Sequence, residues 1–312
     1  MIMPSFKALT LGFSLATFCA TAFAQNANPA PPGTINYVEG QASIEGRQLN
    51  PSFAGNTTLQ AGQVLATANG KTEFLLTPGI FVRLGDNSTV QMVSPDLTHT
   101  EIRLDRGSVN VEVDQIYSQN TILVDFKNGQ TQLLKAGLYS FDADNSTVRV
   151  FDGQAAVYPG ADLVAKVKPI DVKGGHQLAL SGEPLKPQSF NKDMAQAEPL
   201  YKWSSLRSNY LGEANLNLAE EYAGYRDFYP GWYWAGGPFG YTWLPGAGLF
   251  WNPFGYGFYS PYYLYGGGFV YGRGFYGRPG YAYRGSIASA HAGPATVGGF
   301  GGFRGGGGGG RR

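Results

Sequence analysis

The sequence predicts an all-β protein, an antiparallel β-sandwich or short β-solenoid, followed by one amphipathic helix and an irregular tail rich in glycine and aromatic residues. Three observations predict it. Between residues 34 and 182, short apolar-alternating runs recur about every ten residues between Gly, Asn and Asp turn signals, with no helical pattern among them. A helical apolar period then occurs over residues 200–222. Residues 228–312 hold 27 of the 46 glycines and 25 of the 45 Phe, Trp and Tyr residues, and no Asp or Glu.

Taken in order, Lys7, the apolar run 8–18 and Ala22-Phe23-Ala24 have the layout of a cleavable secretory signal. Residues 1–24 are expected to be removed after Ala24, leaving a periplasmic or secreted chain. The run is shorter than the ~20 residues of a spanning helix, so no transmembrane helix is expected in the mature chain. The single cysteine, Cys19, lies in this segment behind Phe18, where a lipoprotein signal needs a small residue. The mature chain then has no thiol for disulfides or thiolate metal sites. Residues 25–33, with Pro29, Pro31 and Pro32, read as a disordered lead-in.

Residues 34–182 form the β-domain. Strands are expected at 34–38, 42–44, 71–76, 81–84, 89–93, 101–104, 108–113, 121–126, 130–134, 138–142, 147–151 and 154–158. Lys127-Asn128-Gly129 is a hairpin turn, because Asn-Gly readily adopts positive φ. Val109, Val111 and Val113 alternate with Asn110, Glu112 and Asp114, which predicts one dry face and one wet face.

The turns and steps along this stretch resemble a known family. Gly62-Gln63-Val64-Leu65-Ala66-Thr67, Thr72-Glu73-Phe74-Leu75-Leu76, Val82-Arg83-Leu84, the Leu104 to Val111 step with Gly107, and Val148-Arg149-Val150-Phe151-Asp152-Gly153 are similar to the FecR domain over residues 33–180. The resemblance implies a periplasmic all-β module. In the best-known members such a module relays a signal from an outer-membrane transporter to a sigma factor. Those members carry a cytosolic helical segment and a membrane helix ahead of the domain. Here a cleavable signal stands in that place, so sigma-factor control is not carried over.

Residues 183–224 comprise a linker with Pro184, Pro187 and Pro199, then the helix. Leu200, Trp203, Leu206, Tyr210, Ala214, Leu218 and Tyr222 fall on one stripe, expected to pack on the β-domain or to meet a partner or a membrane surface. Residues 225–265 are an aromatic and proline-rich extension in which Pro230, Pro238, Pro245, Pro253 and Pro261 recur at steps of seven or eight. Two readings stand for it. It is an irregular segment pinned to the domain by its rings, or Trp232, Trp234, Trp243 and Trp251 form an exposed platform that binds a glycan or another protein. Residues 266–312, a Gly, Arg and Tyr mixture ending in Arg311-Arg312, read as disordered.

The formal net charge of +1 is a sum of opposites. Residues 25–227 carry 16 Lys plus Arg against 22 Asp plus Glu, and the tail adds six Arg. Six arginines spread over the tail are too thin a stripe for nucleic acid, and the secretory signal opposes it. His99, His176 and His291 lack metal-ligand spacing, the carboxylates are scattered, and no Gly-rich run has the strand-to-helix context of a phosphate loop. No cofactor is expected. The sequence therefore points to a non-catalytic exported envelope protein, a scaffold with an adhesive aromatic tail that binds an envelope protein or glycan. A second reading is a periplasmic sensor that binds a transporter or ligand through a strand edge. A third is an enzyme acting on cell-wall glycan.

Overall fold

The computed structural model describes residues 30–160, 162 and 167–265. The expected signal, residues 1–24, the lead-in up to residue 29 and the 266–312 tail, with His291, lie outside the described residues.

Strands form where β-branched and aromatic residues alternate between turn residues. In chain order they are β1 (Ile35–Ile44), β2 (Arg47–Leu49), β3 (Val64–Leu75), β4 (Ile80–Leu84), β5 (Thr89–Pro95), β6 (His99–Arg106), β7 (Ser108–Val113) and β8 (Thr121–Phe126). They continue with β9 (Gly129–Leu133), β10 (Gly137–Asp142), β11 (Thr147–Asp152), β12 (Gln154–Pro159), β13 (Ile170–Lys173), β14 (His176–Ala179) and β15 (Gln188–Ser189). These 15 strands make one sheet.

β3 joins its two halves. Residues 64–66 pair with β5 and residues 72–75 pair with β4, while β1 runs antiparallel along both parts. From β3 the order runs outward as β5, β6, β8, β9, β12, β13 on one side and as β4, β7, β10, β11, β14, β15 on the other. The chain passes back and forth between the two halves, which face each other across one apolar core. This is the expected sandwich. Its pairs are antiparallel except β6 with β8, which is parallel.

The two expected segments 34–38 and 42–44 are fused into β1, with a register shift between Gly40 and Ala42 in place of a turn. Opposite it stands Gly70, where a Cβ would lie 2.4 Å from the Gln41 backbone nitrogen. The two strands close up there because Gly70 has no side chain. The segment 71–76 is the latter part of the longer β3.

Val109, Val111 and Val113 all point into the core and are fully buried, each stabilising the fold by about 1.5–3 kcal/mol. The expectation of a wet opposite face is corrected. Asn110, Glu112 and Asp114 are buried too, together with Glu73 and Arg83 on the neighbouring strands. What covers them is the rest of the chain.

After α1 (Lys192–Gln196) comes α2 (Pro199–Glu221), the expected helix, with Pro199 at its start. It lies on β4 and β7. Its buried face differs from the apolar stripe read from the sequence. Leu206 and Tyr210 are exposed, whereas Ser204, Arg207, Ser208, Leu211 and Asn215 are buried along with Trp203 and Ala214. The face under the helix is charged, so the helix presents its polar side to it.

The 225–265 segment is regular as well, which corrects the irregular reading. It forms two hairpins, β16 (Gly231–Trp234) with β17 (Tyr241–Leu244) and β18 (Leu249–Trp251) with β19 (Gly257–Tyr259), then α3 (Pro261–Tyr265). The proline period marks element boundaries. Pro230 precedes β16, Pro238 and Pro253 sit in the two hairpin loops, Pro245 follows β17, and Pro261 opens α3. Proline lacks the N–H that a ladder needs, so it stays out of strand interiors.

Candidate functional site

The covered face is built in register across three strands. Glu73 of β3 is paired with Arg83 of β4, and Arg83 with Asn110 of β7. Side chains paired across adjacent strands lie on one face, so these charges are neighbours. Arg83 Nε donates to Glu73 Oε2 at 2.7 Å, and its Nη1 donates to Glu112 Oε2. From above, Arg207 Nη2 donates to Glu73 Oε1 at 2.9 Å and to the Phe239 carbonyl at 2.8 Å. Its guanidinium stands 4.1 Å from the centre of the Tyr37 ring. Two carboxylates thus face two guanidinium groups, and the buried charge is balanced.

Neutral groups complete the network. Ser208 Oγ and Asn252 Nδ2 donate to Glu112 Oε1 at 2.6 and 2.7 Å. Asn36 Nδ2 donates to Glu73 Oε1 and to the Tyr241 carbonyl, both at 2.9 Å. Asn215 ties α2 to both hairpins, donating to the Trp243 carbonyl at 2.8 Å and accepting from the Tyr259 N–H at 2.7 Å. The bonds of Asn252 and Asn215, and that of Asn36 to the Tyr241 carbonyl, join the sheet or the helix to the extension. The charged face is therefore a clasp that selects the chain's own C-terminal segment.

Burial works to raise the pKa of Glu73, but the charges of Arg207 and Arg83 outweigh it and hold the carboxyl below the ordinary value. Asp114 is the opposite case. Burial first, and then the charge of Glu112, push its pKa well above the usual carboxyl range. Both Asp114 oxygens lack a donor among the described residues, as suits a neutral acid that can itself donate to Glu112.

Around this clasp sit the rings. Trp232 and Trp243 are buried with Phe81, Leu75, Leu211 and Phe258 in a second apolar cluster. Trp232 meets Phe81 edge-on at 5.0 Å, and Trp243 meets Phe250 edge-on at 5.0 Å. These two residues cannot offer faces to a ligand, which corrects half of the four-tryptophan platform. Trp234 and Trp251 are exposed, at 43% and 48%. A third aromatic group, centred on Phe228 with Tyr222, Tyr233 and Tyr262, gathers where α2 ends.

On the uncovered half of the sheet, Gln130 Nε2 bridges Glu101 Oε1 at 3.2 Å and Asp125 Oδ1 at 2.8 Å, and His99 contacts Glu101 at 3.1 Å. His99 opens β6 and His176 opens β14. Burial, with the hydrogen bond that the protonated carboxyl donates to Glu101, pushes the pKa of Asp125 up to about 7. The folded chain keeps a proton here that the unfolded chain releases near pH 3.8. Stability from this group therefore falls as pH rises from about 4 to about 7. Asp125→Asn is expected to flatten that slope and to raise Tm at about pH 8, which calorimetric scans across the pH range would check.

Among the described residues no cluster of three or more His, Cys, Asp and Glu side chains could hold a metal, and no helix is long and apolar enough to cross a membrane.

A two-layer β-domain clasped by its own helix and hairpins is the class of protein that this geometry defines. Residues 63–156, from the turn before β3 into β12, match the family described as FecR protein, and the chain carries a FecR domain. Two crystal structures of a candidate anti-sigma factor from Parabacteroides distasonis are similar to it. One shares 12% identity at a TM-score of 0.36, over 44% of this chain and 64% of that chain. The other shares 11% identity at a TM-score of 0.34, over 45% and 62%. The present chain thus spans less than two-thirds of the length of either. No curated protein matches the sequence significantly.

Proposed function

We propose that the chain is an exported, non-catalytic FecR-domain module that recognises a protein partner in the cell envelope and serves a signalling or regulatory role. The FecR match across the centre of the sheet carries this reading. The place of recognition is the open edge of β13, a terminal strand of the sheet, which among the described residues pairs on one side only, with β12. Asp171 and Lys173 are exposed along it. An unpaired edge offers backbone donors and acceptors to an incoming strand. The buried Trp232 and Trp243 favour this sensing role over an adhesive aromatic tail, because they serve the fold.

A photo-crosslinker at Lys173 in cells is expected to capture an envelope protein, and amide exchange at 170–173 is expected to slow in the purified complex. Capture from Tyr229, on the aromatic side, with none from Lys173 would overturn edge recognition.

A further inference from the structure

A cleft of about 530 Å³ opens between the first described residues, the loop after β2 and the β16–β17 hairpin. That size lies within the ~300–1,000 Å³ of small-ligand sites. Its walls include Pro31, Thr34, Gly55, Asn56, Thr58 and Tyr241, and no charged side chain among the described residues lines it. Thr34 is committed, its hydroxyl donating to the Pro31 carbonyl at 2.7 Å. The Asn56 amide and the Thr58 and Tyr241 hydroxyls make no side-chain hydrogen bond among the described residues, so donors and acceptors remain open to a ligand.

The aromatic wall follows from the hairpin. Trp232, Trp234, Tyr241 and Trp243 lie on one of its faces, since Trp232 pairs with Trp243 and Trp234 with Tyr241. The first pair is sunk in the core and anchors the hairpin. Of the second pair, Tyr241 lines the cleft and Trp234 backs it, with their rings 5.1 Å apart and edge-to-face. The Trp234 indole rests on Gly55, where a Cβ would stand 2.4 Å from ring atom Cζ3, and Gly55 has φ +78°. Any side chain there would displace the indole.

We infer that this cleft binds a neutral saccharide. The Tyr241 ring, backed by the Trp234 indole, suits the C–H surface of a sugar, and an amide with two hydroxyls suits its hydroxyl groups. The uncharged lining gives no counter-ion to a phosphate, sulfate or uronate. The site is separate from the β13 edge and stands whether or not a protein binds there.

Calorimetric titration of the full chain with chitotriose, maltotriose and trigalacturonate tests it. At least one neutral trisaccharide is expected to bind saturably, and trigalacturonate is not. Asn56→Ala and Trp234→Ala are each expected to weaken binding about tenfold while leaving the circular dichroism and the Lys173 crosslink unchanged. Gly55→Ala is expected to weaken it as well, by moving the indole. Absence of saturable binding by either neutral sugar, equal binding of trigalacturonate, or affinities untouched by both substitutions would overturn the assignment.

Discussion

Arg83→Ala is expected to lower the unfolding free energy by about 3–5 kcal/mol, because it leaves buried carboxylates without their counter-ion. Glu73 and Glu112 both bond to Arg83, and all three side chains are fully buried. Arg207 remains, but its described ion pair is with Glu73 and leaves Glu112 without a counter-ion. Urea denaturation at neutral pH reads the loss. Its pH dependence separates charge from packing. In the native protein Glu73 is held below its ordinary value of 4.5, so its contribution is full above that pH and is lost as pH falls through the lower folded value. In the variant the two carboxylates repel, the folded state takes up protons more readily, and the deficit shrinks on acidification. A gap between the two proteins that stays constant from about pH 7 to about pH 4 would show that Arg83 acts by volume alone. Arg83→Lys is expected to fall between, since an ammonium keeps the charge but cannot span two carboxylates as a planar fork does.

The second large effect is expected from Trp243→Ala, at about 3–5 kcal/mol. Trp243 has no exposed surface, packs between Phe250 and Phe258, and passes over Gly79 in the turn between β3 and β4. Its loss opens a cavity at the junction of both hairpins with the β-domain. The effect is expected to be local in form as well as large. Limited proteolysis should cut the variant at 224–240 well before the sheet, where the native protein is cut at both more slowly. Trp251→Ala, at an exposed ring, is expected to change stability by about 1 kcal/mol or less. Equal losses at the two positions would show that burial of Trp243 does not hold the extension in place.

Much of the sheet was legible because its inner residues obey a period of two. Val109, Val111 and Val113 announce β7, and Thr147 to Asp152 announce β11, through alternation that survives whatever covers the outside. The outer face was not legible, for a physical reason. Asn110, Glu112 and Asp114 read as solvent-facing because an isolated charge is costly to bury, but Arg83 on the neighbouring strand and Arg207 from α2 supply matched charges to the face they share with Glu73. A signal was present in α2 itself. Ser204, Arg207, Ser208 and Asn215 recur at helical spacing, and this polar stripe, with the apolar one, gives the helix two candidate faces. The hairpins went unread: Trp232 and Trp234 alternate, as do Tyr241 and Trp243, but the glycine and proline around them masked that alternation. Of the four tryptophans expected to bind, Trp234 adjoins the inferred cleft, and Trp232 and Trp243 hold the hairpin that carries it.

The clasp also orders events in time. Asn36, in the first strand, finds a partner in Tyr241, 205 positions later. Glu73 waits 134 positions for Arg207. While the chain emerges, the sheet assembles with its carboxylates and arginines still facing water, where they are well solvated. The unfinished protein thus shows its surroundings a charged surface and stays apart from its neighbours. It closes that surface only when its own last hairpins arrive, so that the final step of folding is a docking event between distant parts of one chain.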